Sequence, residues 1–586
     1  MKLVERVLTG VWAAAVLLAC ACSPERGAPP PPSPAASSPV AGDALDQSSA
    51  ARRVEASRAS TAPEAEPAAR VESSNPAAPH NTPAGRAALD GSADGRAVAG
   101  ESASHTPESG AARAPDGTET AAAPLGEPRG LGVANQSGAS GLLGDLLGEP
   151  VDSAVRRVDG LARRTIDATK AAEAGIRRID GKRLTLYTDL PSSPEVDRLG
   201  ELFDQAFPQY CAFFGIDPAD LAEWRLTGFL IKDKQRFVAT GLVPEGLPAF
   251  GNGYARNEEF WLYDQPSDYY RRHLVLHEGV HCFMNTVLGA CGPPWYMEGI
   301  AELLATHQLR DGRLRLGTMP ADKHEVEYWG RIKLIRDAFA AHRARRFRQV
   351  MDFPHGAFLE NESYAWAWAA AALLDGRPAY HDRFRRLSQY VLRGDFNRQF
   401  EELFADDWAA LCDDWQVFIA ELEYGYDPVA TAIDFTPGRP LPPGGAEVTV
   451  RAAAGWQNTG VRLEAGRRYQ LSAAGRYQVA NRPRVWWCEP GGVSIRYYAG
   501  RPLGILLGAV RPDAADEERL CPLVAPEPIG LAAQMVPRES GALMVKINDS
   551  PAELGDNAGE LRLRVEPAPD EPADDRPDQS PAALGH

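Results

Sequence analysis

The first third of the chain lacks aromatic residues: between Trp12 and Tyr187 there is no Phe, Tyr or Trp. A stretch so depleted, and rich in Ala, Pro, Ser, Gly, Glu and Arg, cannot bury enough apolar area to offset the entropy of ordering it. It excludes a packed domain there and leaves about 400 residues, enough for two domains, to carry the folded structure. Positive charge is also scarce. Against 79 Asp+Glu stand 62 Lys+Arg, a net of −17 over 586 residues. That argues against nucleic acid as the main partner, because a phosphate backbone demands clustered positive charge. It equally argues against a polybasic membrane patch. Long apolar runs are missing too. Residues 7–19 are too short to span a bilayer and read as a signal-peptide core.

Cysteine is sparse, at eight residues. Two follow the apolar run, in Leu17-Leu18-Ala19-Cys20 and Ala21-Cys22. This resembles the lipobox of bacterial lipoproteins, which implies a lipid-modified Cys20, with Cys22 as the alternative. On that reading residues 1–22 are a leader, residues 23–150 a disordered Ala/Pro/Ser-rich tether, and the protein an exported, membrane-anchored lipoprotein of the periplasm or cell surface. The lipid anchor would be its only membrane contact. The other six, Cys211, Cys282, Cys291, Cys412, Cys488 and Cys521, are an even number. They permit disulfides in an exported protein, or buried free thiols. Pairs 282–291 and 488–521 would each stay within one domain.

Residues 151–180 carry Val151, Val155, Val158, Leu161 and Ile166 at helical spacing and predict a peripheral helical segment. Strands are expected at 184–187, 226–231 and 260–263, and helices at 194–214 and from about Ser267. From 325 to 425 the pattern is mostly helical, and residues 363–375 are apolar nearly all round, as in a buried helix. Residues 181–430 thus form an α+β domain. A Pro/Gly-rich stretch at 437–445 marks a boundary, with a linker over 431–445. Short β-like runs follow at 448–450, 461–463, 469–472, 485–487, 543–547 and 561–565, the pattern of an all-β sandwich over 446–567. The tail, 568–586, is acidic and Pro-rich and reads as disordered.

The chemistry is concentrated in His277-Glu278-Gly279-Val280-His281. Positions i and i+4 lie one turn apart on one helix face, so both imidazoles can reach one metal ion. Zinc suits them, since it takes neutral imidazole nitrogen in tetrahedral geometry, and Glu278 sits where a general base is needed. Downstream stands Trp295-Tyr296-Met297-Glu298-Gly299-Ile300-Ala301-Glu302. The pair of motifs resembles the gluzincin metallopeptidases, which join H-E-x-x-H to a Glu on the next helix, often in a W-x-x-E-G-hydrophobic-A form. The resemblance implies a zincin-like α+β fold. It makes His277, His281 and Glu298 the zinc ligands, Glu278 the base and Glu302 an acid that orients a ligand histidine. Tyr364, by its distance past Glu298, is the candidate donor to the oxyanion, and it also reads as a core tyrosine at a helix start. His273 and His307 read as structural. Residues 249–255, with their glycines, lie where related folds run a strand along the substrate. The G-x-M-E-N signature of aminopeptidases is absent, which favours an endopeptidase.

Residues 445–567 carry Gly455-Trp456-Gln457-Asn458-Thr459-Gly460, Ala474-Gly475-Arg476-Tyr477, Ile547-Asn548-Asp549 and Gly555-Asp556-Asn557-Ala558-Gly559. These resemble the bacterial galactose-binding lectins of the LecA type. Asp549, Asp556 and Asn557 supply hard oxygens around a turn, as calcium prefers; an Asp/Asn turn without metal is the other reading. The family pattern adds the carbonyl of Glu553 and one near Val479. The His and Gln that hold galactose in those lectins have no counterpart over 488–498, so the resemblance implies a calcium-stabilised module for a glycan or wall polymer other than galactose. The expectation is an exported zinc metallopeptidase acting on peptides or proteins, with an accessory calcium- or glycan-binding sandwich. The rivals are a surface adhesion lipoprotein whose peptidase-like domain is structural, and a zinc hydrolase of non-peptide bonds.

Overall fold

Three apolar segments pair side by side to form the heart of the first sheet. In the computed structural model, which describes residues 164–514 and 516–568, these are β2 (Leu184–Thr188), β3 (Leu226–Ile231) and β5 (Glu259–Tyr263). They run parallel and are flanked by two antiparallel edges, β1 (Arg177–Asp180) on β2 and β4 (Gly253–Arg256) on β5. Alternation along the strands divides their side chains between two cores. Leu184, Leu186, Leu226, Leu230, Phe260 and Leu262 face the main core. Tyr187, Phe229, Ile231 and Trp261 face a smaller one, which also takes Ala171 of α1 (Ala168–Glu173) and Phe237. The expected helix over 151–180 is thus confined, among described residues, to α1. Residues 177–180 pair with β2, Ile179 opposite Leu186, through a ladder that local spacing does not reveal.

The main core is helical. Helices α2 (Pro194–Asp197) and α3 (Leu199–Phe214) follow β2, and α4 (Lys234–Ala239) follows β3. Helix α5 (Asp268–Phe283) starts where the sequence places it, with Ser267 as N-cap accepting from the Tyr270 amide at 3.1 Å. Next come α6 (Pro294–Ala305), a hairpin of β6 (His307–Arg310) and β7 (Arg313–Leu316), α7 (Arg331–Ala340), α8 (Phe347–Met351), α9 (Asn361–Gly376), α10 (His381–Arg386), α11 (Phe396–Leu403) and α12 (Trp408–Glu421). Every residue of α9 from Ala365 to Leu374 is buried, as expected of a helix apolar on all sides.

The regular elements of the described C-terminal part are strands, apart from short turns of 3₁₀ helix. It comprises β8 (Arg439–Pro440), β9 (Ala446–Arg451), β10 (Gln457–Leu463), β11 (Tyr469–Ala474), β12 (Tyr477–Ala480), β13 (Trp486–Cys488), β14 (Val493–Tyr498), β15 (Arg501–Leu503), β16 (Leu506–Pro512), β17 (Glu527–Pro528), β18 (Ala532–Met535), β19 (Gly541–Ile547) and β20 (Glu560–Pro567). A five-stranded sheet, β17-β16-β19-β10-β8, and a four-stranded sheet, β18-β11-β20-β9, contribute to one core that includes Leu463, Leu471, Val545 and Leu563. The chain is therefore multidomain and mixed α/β.

The two parts are fastened together. Val417 of α12 packs with Trp456, Leu523 and Met544, joined by Ile433 and Phe435. Arg511 donates to Asp413 at 2.7 Å, Gln416 accepts from the Cys521 amide at 3.0 Å, and Trp408 donates to Glu517 at 2.8 Å. The segment read as a linker is pinned on both sides. Arg377 donates to the Thr431 hydroxyl at 2.9 Å, and Asn458 donates to the carbonyls of Asp434 and Thr436. All six described cysteines are free and buried. The described residues lie within one unit, Ala123–His586. The leader with Cys20 and Cys22, the tether, residues 151–163 and the tail beyond 568 lie outside the described residues. No described helix is long and apolar enough to cross a membrane.

Candidate metal centre

Helices α5 and α6 set the site. On α5, His277 and His281 are one turn apart; the Nε2 atoms lie 3.1 Å from each other. A five-residue π-helical turn, Met284–Leu288, ends α5, and α6 returns alongside it from Pro294. Glu298 on α6 points Oε2 at both imidazoles, 3.2 Å from His277 Nε2 and 3.3 Å from His281 Nε2. Helix α6 reaches this depth because Gly299 lies against α9: a Cβ there would sit 2.7 Å from the Ala367 carbonyl oxygen.

These three donor atoms form a triangle that a single ion fits. With bonds of about 2.0–2.1 Å, a tetrahedral ion holds its donors about 3.3–3.4 Å apart. The three side chains are buried, and Glu298 Oε2 has no hydrogen-bond partner among the described residues. Buried polar atoms are rarely left unpaired, and converging lone pairs repel unless a cation or proton sits between them. Two imidazoles and one carboxylate are a zinc-type donor set. Burial works against the Glu298 carboxylate, but the adjacent imidazoles outweigh it and hold its pKa down at about 2. It is thus an anion ready for a metal.

Glu278 lies next to this triangle, 5% exposed, on the side facing β4. The approach is close. A Cβ on Gly253 would fall 2.2 Å from Glu278 Oε1, so only glycine leaves room for the carboxylate. Burial raises the Glu278 carboxyl above its ordinary range, opposed by the charges of His277 and His281. A carboxylate so raised is a stronger proton acceptor. Among the described residues β4 is an edge strand, with β5 on one side alone.

Behind His277 lies Glu302, one turn after Glu298 and 1% exposed. Its Oε1 is 3.3 Å from His277 Nδ1, within ion-pair range though off the line of a good hydrogen bond, and 3.4 Å from His273 Nε2. Burial opposes its charge, yet Arg331 and the histidines hold it well below the usual carboxylate range. His273, His277 and Glu302 form a second convergent group. The Tyr364 ring, on the first turn of α9, is 6.1 Å from the His277 ring. Burial pushes its hydroxyl well up, so it remains a donor at neutral pH. His307 is buried, its Nδ1 donating to the Ala305 carbonyl at 2.8 Å.

Sequence reasoning missed Arg331. It opens α7 and is 5% exposed, with Nε 3.0 Å from Glu302 Oε2 and Nη2 3.0 Å from Glu302 Oε1. The signal was present: Arg331, Ile335 and Ala338 share the buried face of α7, so a charge stands in an apolar stripe.

In the C-terminal part Asn557 donates to Asp549 Oδ2 at 2.8 Å, and Asp556 Oδ2 accepts from the Asn481 amide at 3.1 Å. Asp556 Oδ1 and Asn557 Oδ1 are buried without a partner. Burial raises the Asp549 carboxyl to about 6. The Glu553 side chain instead pairs with Arg496 at 3.3 Å, and its carbonyl accepts from the Asp556 amide. Among the described residues, the groups of three or more His, Cys, Asp or Glu side chains that converge on one point are the two on α5 and α6.

No family model matches the chain, and no curated protein matches it. Among solved structures it is similar to one described as "EclA N-terminal domain; PllA-like lectin", with 22% identity over 21% of this chain and 95% of that one, at a TM-score of 0.16.

Proposed function

We propose that the protein is an exported zinc metallopeptidase that hydrolyses peptide bonds, with a zincin-like α+β domain followed by a β-sandwich. The observation that supports this reading is the convergence of His277 Nε2, His281 Nε2 and Glu298 Oε2, with Glu278 beside them and Glu302 behind His277. His277, His281 and Glu298 would hold zinc, which supplies a Lewis acid that polarises a carbonyl and acidifies water. The chain's residues do the rest. Glu278 takes the proton of the attacking water and returns it to the leaving nitrogen, a cycle that needs the buried, raised carboxylate described above. Tyr364 donates its hydroxyl proton in a hydrogen bond to the oxygen that gains charge. The open edge of β4 offers backbone groups to an extended peptide, which suits an endopeptidase. Export and a lipid anchor at Cys20 rest on the leader sequence.

For the C-terminal sheets we propose a calcium loop made by Asp549, Asp556, Asn557 and the Glu553 carbonyl, in a module that binds a glycan or wall polymer. It is supported by the two partnerless buried oxygens and the raised Asp549 carboxyl, both of which a cation would relieve.

Elemental analysis of the full chain and of its His277→Ala/His281→Ala variant tests the centre. One zinc per parent chain and none in the variant is expected, with Glu278→Gln keeping zinc and losing peptide hydrolysis. A parent without zinc after incubation with zinc overturns the peptidase and favours the adhesion reading. Zinc present with hydrolysis confined to non-peptide amides would move the substrate class instead.

A further inference from the structure

Three buried carboxylates, Glu278, Glu298 and Glu302, crowd one site, each 7% exposed or less. Arg331, a permanently charged cation, reaches one of them, Glu302, through two parallel N–H···O bonds of 3.0 Å. Its guanidinium carbon also lies 5.5 Å from the centre of the Tyr364 ring. One side chain therefore contacts the carboxylate behind His277 and the aromatic ring in front of it. Three carboxylates, one guanidinium and one divalent ion sum to zero, whereas without the guanidinium a buried negative charge would be left over.

We propose that Arg331 is a positioning residue of the metal centre: it holds Glu302 fixed against His277 and seats Tyr364 over the same ligand. The inference rests on the zinc reading above. Arg331 touches neither donor triangle nor Glu278, so it acts through Glu302 and Tyr364. Its planar fork matters, because two bonds fix the rotation of the Glu302 carboxylate while the flat face supports the ring. A lysine keeps the charge and loses both constraints. Groups that orient metal ligands from outside commonly set metal affinity by ten- to a hundredfold.

The test uses the full chain with Arg331→Met, Arg331→Lys, Glu302→Gln and the Arg331→Met/Glu302→Gln double variant. Zinc affinity is read by competition with a chromophoric chelator, ligand geometry by the visible spectrum of the cobalt(II)-loaded protein, and folding by urea unfolding. Arg331→Met is expected to weaken zinc at least tenfold and to shift the cobalt bands. Arg331→Lys should recover part of the affinity. The double variant should lose no more than the worse single, because both changes disable one contact. Parental affinity and spectrum in folded Arg331→Met, or losses that add, overturn the proposal. Should Arg331→Met fail to fold, Arg331→Lys decides: parental affinity and spectrum overturn it, partial loss of affinity upholds it. A parent that binds no zinc overturns the metallopeptidase reading itself, and the parent measurement shows that separately.

Discussion

Gly253→Ala separates the role proposed for Glu278, that of general base, from the stability of the fold. The added methyl carbon would lie 2.2 Å from Glu278 Oε1, 2.8 Å from Cδ and 3.0 Å from Cγ. Ordinary carbon–oxygen contact needs about 3.2–3.5 Å, so the carboxylate must retreat by about 1 Å. The retreat costs the fold little, because the obstructing group is the free end of a side chain, and alanine restricts the unfolded chain slightly, a gain of about 0.4–1 kcal/mol. Catalysis has no such freedom. A misplacement of ~1 Å in a reacting group costs about a hundredfold, or roughly 2.7 kcal/mol of transition-state stabilisation. Gly253→Ala should therefore cut kcat on a peptide substrate about a hundredfold, with zinc content unchanged and the urea midpoint close to the parent's. Hydrolysis and zinc content on the same preparations decide it. A parental rate in the folded, zinc-loaded variant refutes the placement of Glu278 as base. Equal loss of zinc and activity refutes the separation of base from ligands.

Gly299→Ala puts a Cβ 2.7 Å from the Ala367 carbonyl oxygen, where both groups belong to helices, so unfolding in urea should show a loss of about 1–3 kcal/mol. Arg377→Met strands Asp414, which accepts from Arg377 at 2.8 and 3.1 Å in a buried pair, and should cost about 3–5 kcal/mol by the same measurement. His307 is held by burial at about 3, below its ordinary 6.5. As pH falls below 6.5 the unfolded chain gains a proton there and the folded chain does not, so this residue removes stability toward acid, about 2 kcal/mol by pH 5. His307→Gln should flatten the acid limb of stability against pH. Alkylation of the denatured, unreduced protein should label all six cysteines from Cys211 to Cys521, read by peptide mass spectrometry.

What was legible in the sequence was local. The i, i+4 histidines need one helix turn, and Ser267 caps that helix through its own side chain, so both survive translation into structure. Glu298 and Glu302 were reached through a motif rather than a spacing law. Arg331 was not reached, because its partner lies 29 residues earlier and the contact exists only once folding brings the first residue of α7 to Glu302. Strands fared by environment. Residues 184–187 and 226–231 are apolar and central, whereas β1, an edge rich in Arg, has its pairing as its chief signal. β16 (Leu506–Pro512), apolar at its start but ending in Arg511 and Pro512, was missed in the C-terminal part. The segment 431–445 reads as a loose linker, yet side chains from both neighbours tie down its first part, at Thr431 and Thr436.

That tied segment leaves the described chain without a hinge between α12 and β9. Ile433 and Phe435 are packed, and Arg439–Pro440 is itself a strand of the five-stranded sheet. If the C-terminal sheets hold a polymer and Glu278 acts as base, as proposed above, the point of attack is set by the span between the two, as a gauge sets a length.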